Sequence, residues 1–174
     1  MPAGATYEPI ATYTVGSNVA SYSVTSIPGT YTDLKVVINA RSTLSPSQDS
    51  LWSITFNSDS GSNYSSTLIR GTGYAASSLS QTNVTAARIG WALTVGAGSN
   101  MYSSIILDCF NYAGSTNKTF LSTNTADFGN AGNVSRIVGL WRSTSAITSF
   151  TITDNNAANI AIGTTITLYG IARA

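Results

Sequence analysis

Histidine is absent from the 174-residue chain, and cysteine occurs once. The missing imidazole removes the commonest general base and zinc ligand. It also excludes any Ser/His/Asp or Cys/His nucleophile system within one chain. Cys109 has no disulfide partner, so stability has to come from packing and association. Charged residues are only 9% of the chain and the net charge is +1, against about 25% charge in ordinary soluble domains. Arginines are scattered singly, without the basic stripe that neutralises a row of phosphates, so nucleic acid is not an expected partner. No apolar run reaches the roughly 18 residues of a membrane span. The opening MPAGATYEP lacks the basic start and apolar core of a signal peptide, which points to a product made in the cytoplasm.

What is present is a 43% hydrophobic chain whose polarity comes from Ser, Thr, Asn and Gly, a mixture that makes strands and turns. Its length suits one domain. Ala11 to Val15 and Val19 to Val24 read as a hairpin about Gly16-Ser17-Asn18. Leu34 to Arg41 alternates, and Leu51 to Asn57 puts Trp52, Ile54 and Phe56 on one face. Asn63 to Arg70 is another strand, whereas residues 75 to 87 read as a long surface connection or a poorly formed strand. Further strands are Arg88 to Val95, Met101 to Cys109, Lys118 to Ala126 and Val134 to Ser143. Ile147 to Thr153 and Thr164 to Ile171 read as a closing pair. Roughly nine or ten short strands without a helical period predict an all-β, single-domain antiparallel β-sandwich. The lack of edge-protecting charges favours closure in a jelly roll. The domain spans residues 11–174, behind an N-terminal arm of residues 1–10.

Two segments ask for a partner. In Gly163 to Ala174 the strand begins with Ile166 and Leu168 on one face and threonines on the other, but Tyr169 and Ile171 then fall on the threonine side. In Val134 to Arg142, Ile137 and Trp141 share one face while Val138 and Leu140 share the other with Arg136 and Arg142. Arg136, Trp141, Arg142, Tyr169 and Ile171 are therefore the expected contact residues.

Little material exists for chemistry. Paired carboxylates could hydrolyse glycosides, but Asp33, Asp49, Asp59, Asp108, Asp127 and Asp154 sit mostly in turn-like surroundings. No catalytic residue, metal or cofactor is expected. The loop Asn57 to Asn63 spaces oxygens as a calcium loop does, though no bidentate carboxylate follows, and an Asx-rich turn is the alternative. Four Asn-x-Ser/Thr triplets, at Asn63, Asn83, Asn117 and Asn133, are about the number that chance gives. Trp52, Trp91 and Cys109 follow the alternation of their strands into a core. Tyr74 and Tyr102 remain as aromatics that could stack on a sugar.

The ending Ile162-Gly163 through Thr167-Leu168-Tyr169-Gly170-Ile171, the opening Ala5 to Ala11, the turn Ile27 to Leu34, the loop Asn57 to Tyr64 and the stretch Gly139 to Ser149 together resemble small virion proteins of tailed bacteriophages, many from cyanophages. The resemblance implies a jelly-roll virion component, made in the host cytoplasm and located on the capsid surface. It implies a non-enzymatic cement (decoration) protein that binds the major capsid protein and forms a homotrimer. The alternatives are a tail fibre or receptor-binding knob that joins tail proteins and recognises host glycan, and a free carbohydrate-binding module. A single compact module without a long fibre-forming region favours cement.

Overall fold

The computed structural model describes residues 6–129 and 131–172. The first strands are β1 (Tyr7–Thr14), β2 (Ser21–Val24), β3 (Asp33–Ser42) and β4 (Asp49–Phe56). There follow β5 (Tyr64–Gly71), β6 (Ala76–Val84), β7 (Ala87–Thr94) and β8 (Ser103–Cys109). The last are β9 (Lys118–Asp127), β10 (Gly132–Trp141), β11 (Phe150–Asp154) and β12 (Thr165–Ile171). The described residues contain no α-helix, only a 3-10 turn at Val95–Ala97.

One large sheet runs β1-β12-β3-β8-β9-β10-β5-β6 and a smaller one runs β2-β11-β4-β7. They are joined where β3 and β7 run parallel for Arg41↔Leu93 and Ser42↔Thr94. The antiparallel pairs β1:β12, β3:β8 and β5:β6 lie in the large sheet, while β2:β11 and β4:β7 lie in the small one. Nested pairs that alternate between two sheets are the winding of a jelly roll. The β9–β10 hairpin is an insertion between β8 and β5.

Alternation puts one side of each strand between the sheets. Val36, Ile38, Ile105, Leu107, Ile166 and Leu168 from the large sheet are buried with Trp52, Ile54, Phe150 and Ile152 from the small one. At one end, the Phe56 ring lies 5.8 Å from Phe120 and 5.6 Å from Trp141, and Tyr64 stacks on Trp141 at 6.3 Å. Burial pushes the Tyr64 phenol up to about 12. Lys118 is also buried here, its ammonium donating to the carbonyls of Gly114 and Thr116, and burial lowers its pKa.

Three expectations need correction. Val15 and Val19 do not close a hairpin: their N–H groups bond to Thr164 and Ile160, so the Gly16 turn carries the chain from one sheet to the other. Turn chemistry fixed the bend, and the other end of the chain supplied the partners. The supposed closing pair is divided, with β11 in the small sheet and β12 in the large one. Residues 76–84 form a full strand that pairs with β5. Of the arm, residues 1–5 lie outside the described residues, whereas Tyr7, Glu8 and Pro9 belong to β1 and pair with Ile171, Gly170 and Tyr169.

Candidate interaction surface

The side of the large sheet that faces away from the small one is a continuous array. Across six strands, Thr167, Val37, Ile106, Thr123, Arg136 and Ile69 stand in register. The next row is Tyr169, Lys35, Asp108, Leu121, Val138 and Thr67. Ile69 is 64% exposed, Val134 62% and Val138 46%. These exposed aliphatics surround Arg136 on two neighbouring strands and make this face the candidate interaction surface. Beside them lies a shallow concavity of about 730 Å³, lined by Ile69, Gly71, Ala76, Ser78, Thr123, Val134 and Arg136. Arg136 has no hydrogen-bond or ion-pair partner among the described residues. Lys35, three strands away on the same face, is neutralised by Asp108.

The strand β10 explains why these groups are outside. Its inward positions are Asn133, Ser135, Ile137, Gly139 and Trp141, all buried, while Val134, Arg136 and Val138 are exposed. Polar groups on the inside would be costly without partners. Most have them: Ser135 donates to Asn124 Oδ1 at 3.2 Å, Asn124 donates to the Trp91 carbonyl at 2.8 Å, and Asn133 Nδ2 donates to Asp49 Oδ2 at 3.3 Å, leaving the buried Asn133 Oδ1 without a partner among the described residues. Ser122 donates to the Ile89 carbonyl. A hydrogen-bonded seam thus ties β9 and β10 to β7, and the aliphatic groups of β10 are left on the open side.

Tyr169 and Ile171, half-buried, lie on the same open side at its other end. Tyr7 packs edge-on against Tyr169 at 6.4 Å. Four strand spacings separate β12 from β10, about 19 Å, so Arg136 and Tyr169 share a face without touching. Trp141 is a correction: it is 2% exposed on the inner face, so it is unavailable to a partner in the folded protomer. Its indole N–H donates to Asp59 at 2.7 Å. Arg142 is tied down at the sheet end, donating to the Ser62 carbonyl and to Asn83 Oδ1 at 2.9 Å each. Ile69 escaped the sequence reading, although adjacent Leu68 and Ile69 necessarily point to opposite faces of β5.

The acidic groups have partners within the chain, some at the surface and some buried. Glu8 accepts from Tyr31 at 3.1 Å, Asp33 from Asn111 N–H at 2.7 Å and Asp127 from Gly129 N–H at 2.8 Å. Asp49 pairs with Arg70 at 2.6 Å. Asp154 is buried in a cage of donors. No group of three or more acidic, cysteine or histidine side chains among the described residues is placed to hold a metal.

The loop Asn57 to Asn63 is closed by donors of its own and of the β10–β11 connection and β10. Asn57 Oδ1 accepts from Thr148 N–H and Ser149 N–H, and Asp59 accepts from Trp141, Asn63 and Gly61 N–H. The Trp141 hydrogen bond, followed by those of Asn63 and Gly61, holds the Asp59 carboxyl below its ordinary 3.8. Stability from a lowered carboxylate is complete above the ordinary value and is lost as pH falls through the folded-state one. Urea midpoints taken downward from about pH 5 will therefore fall more steeply in the wild type than in Asp59→Asn.

Cys109 is 3% exposed on the inner face, and burial raises its thiol far above the ordinary range. The thiolate is the reactive form. Iodoacetamide will leave Cys109 unmodified in the folded protein and label it fully in denaturant, as mass spectrometry will show.

No protein-family model matches the chain, and no curated protein matches it. Among solved structures it is similar to a Scytalido-glutamic peptidase crystallised with a peptide-based transition-state analogue. The identity is 9% and the TM-score 0.27, over 90% of this chain and 66% of that one. A likeness at that level carries no argument about activity.

Proposed function

We propose that this chain is a structural protein of a phage virion, a capsid cement protein that binds the assembled head and stabilises it as a homotrimer. The observation that supports this reading is the open face of the large sheet, where Ile69, Val134 and Val138 stand uncovered beside unpaired Arg136. A partner with an apolar surface and a carboxylate would cover the aliphatics and neutralise the guanidinium. A protein that binds only the assembled lattice stabilises that lattice by mass action. Purified protein added to heads assembled without it should bind stoichiometrically and raise their heat resistance. Absence of binding rejects the cement reading.

One observation favours a second reading, glycan recognition. A concavity of about 630 Å³ is lined by Asn39, Tyr102, Ser104, Thr125 and Asp127 among others. The Tyr102 ring is fixed by its hydroxyl, which donates to the Ile162 carbonyl at 3.1 Å, and by the Arg41 guanidinium 5.5 Å from its centroid. A fixed ring beside hydroxyl, amide and carboxylate groups suits a neutral sugar. Glycan-array binding by the isolated protein that Tyr102→Ala abolishes would move the assignment from cement to receptor recognition.

A further inference from the structure

The two free edges of the large sheet are built differently. The β1 edge carries Pro9, which has no N–H, a register shift between Pro9 and Ala11, and the charge of Glu8. Each of these features keeps a sheet edge from pairing with another chain. From Ala76 to Gln81, β6 has none of them. This stretch is uncharged, contains no proline, and pairs as a strand with β5 alone among the described residues. Its first irregularity comes at Thr82 and Asn83, where the register shifts and Asn83 adopts a φ of 55°.

At the middle of this regular stretch stands Leu79. It is in register with buried Leu68, so it points to the core side of the sheet, yet it is 52% exposed because no strand lies beyond it. Leu68 belongs to a small cluster with Trp91 and Ile137, which one more apolar side chain at this edge would extend.

We propose that a second copy of this chain pairs with β6 edge to edge, antiparallel, about a twofold axis at Leu79. In that register Leu79 of each copy faces Leu79 of the other, Ser78 faces Ser80, and Ser77 faces Gln81. Every facing pair is apolar with apolar or neutral with neutral, so self-pairing meets no like-charge repulsion. A charged partner would find nothing on β6 to select it. The contact is isologous, the commonest way for identical chains to associate. It leaves the open face of the sheet uncovered, and it does not depend on what that face binds.

The test uses the full chain in solution. Under mild oxidation Leu79→Cys should give a disulfide-linked dimer, because facing residues of antiparallel strands have Cα separations that a disulfide spans. Thr12→Cys on the β1 edge should not. By sedimentation the free wild type should dimerise at tens of micromolar, the homotrimer of the cement reading being the arrangement on the head, and Leu79→Lys should weaken the dimer by about tenfold or more, since two lysines then oppose each other. Leu79→Lys sits at an exposed position, and an unchanged thermal melt will show that it folds. A wild type that stays monomeric, an oligomer indifferent to Leu79→Lys, or cross-linking no greater than in the Thr12→Cys control would overturn the pairing. Head binding is read separately: a dimer that ignores heads removes the cement reading alone, and a monomer that binds them removes the pairing alone.

Discussion

Replacing Asp154 by Ala will lower the unfolding free energy by about 4 kcal/mol, because it strips the acceptor from several buried donors that cost about 1–3 kcal/mol each when left unsatisfied. The carboxylate is 6% exposed at the end of β11, directly opposite Trp52 of β4. It accepts from the hydroxyls of Ser42 and Ser50 at 2.6 Å each, from the Trp52 indole N–H at 3.2 Å and from Asn156 N–H at 2.8 Å. One side chain thus ties the end of β3, the start of β4, the end of β11 and the following loop. The cost should fall short of the full sum because part of the cage can rehydrate as it relaxes. Asp154→Asn, which keeps one oxygen but turns an amide toward the donors, should lose less. Urea unfolding followed by tryptophan fluorescence checks both, and a loss below about 1 kcal/mol would show that the donors find other acceptors.

Gly139 is the second sensitive position. A Cβ added there would lie 1.9 Å from Phe120 Cζ and 2.4 Å from both Cε atoms. Phe120 faces Gly139 across the β9–β10 pair, is 1% exposed and packs on Phe56. The ring therefore has nowhere to retreat. Overpacking a filled core costs about 1–3 kcal/mol and sometimes more, and an overlap this deep puts Gly139→Ala at about 3 kcal/mol, with Gly139→Val above it. Phe120→Leu should recover part of the loss in the double variant, because the two positions compete for one space. Additive losses would contradict this packing.

The fold class was legible because most strands keep a strict period of two with apolar groups inward. Trp52, Ile54 and Phe56 on β4 show it, as do Ile105, Leu107 and Cys109 on β8. Strand partners were less legible, since Val15, Val19 and Ile147 take theirs from distant segments. The candidate face was half legible. Tyr169, Ile171, Arg136 and Val138 do point away from the core, as their alternation required. Trp141 was misjudged because β10 inverts the usual rule, with Asn133 and Ser135 inside and Val134 and Val138 outside. The donors and acceptors on β4, β7 and β9 make that inversion tolerable, and pairing between distant strands leaves no local trace in a sequence. The buried ammonium of Lys118 is a similar case, satisfied by carbonyls of the preceding turn.

If the open face of the large sheet is where this protein meets its partner, charge placed there should abolish binding and spare the fold. Ile69 and Val138 are exposed on neighbouring strands. The Ile69→Asp/Val138→Asp variant should keep the wild-type thermal melt and lose at least about a hundredfold in affinity for phage heads, as two apolar contacts are replaced by desolvated carboxylates. Co-sedimentation of this variant with heads at wild-type stoichiometry would contradict the account.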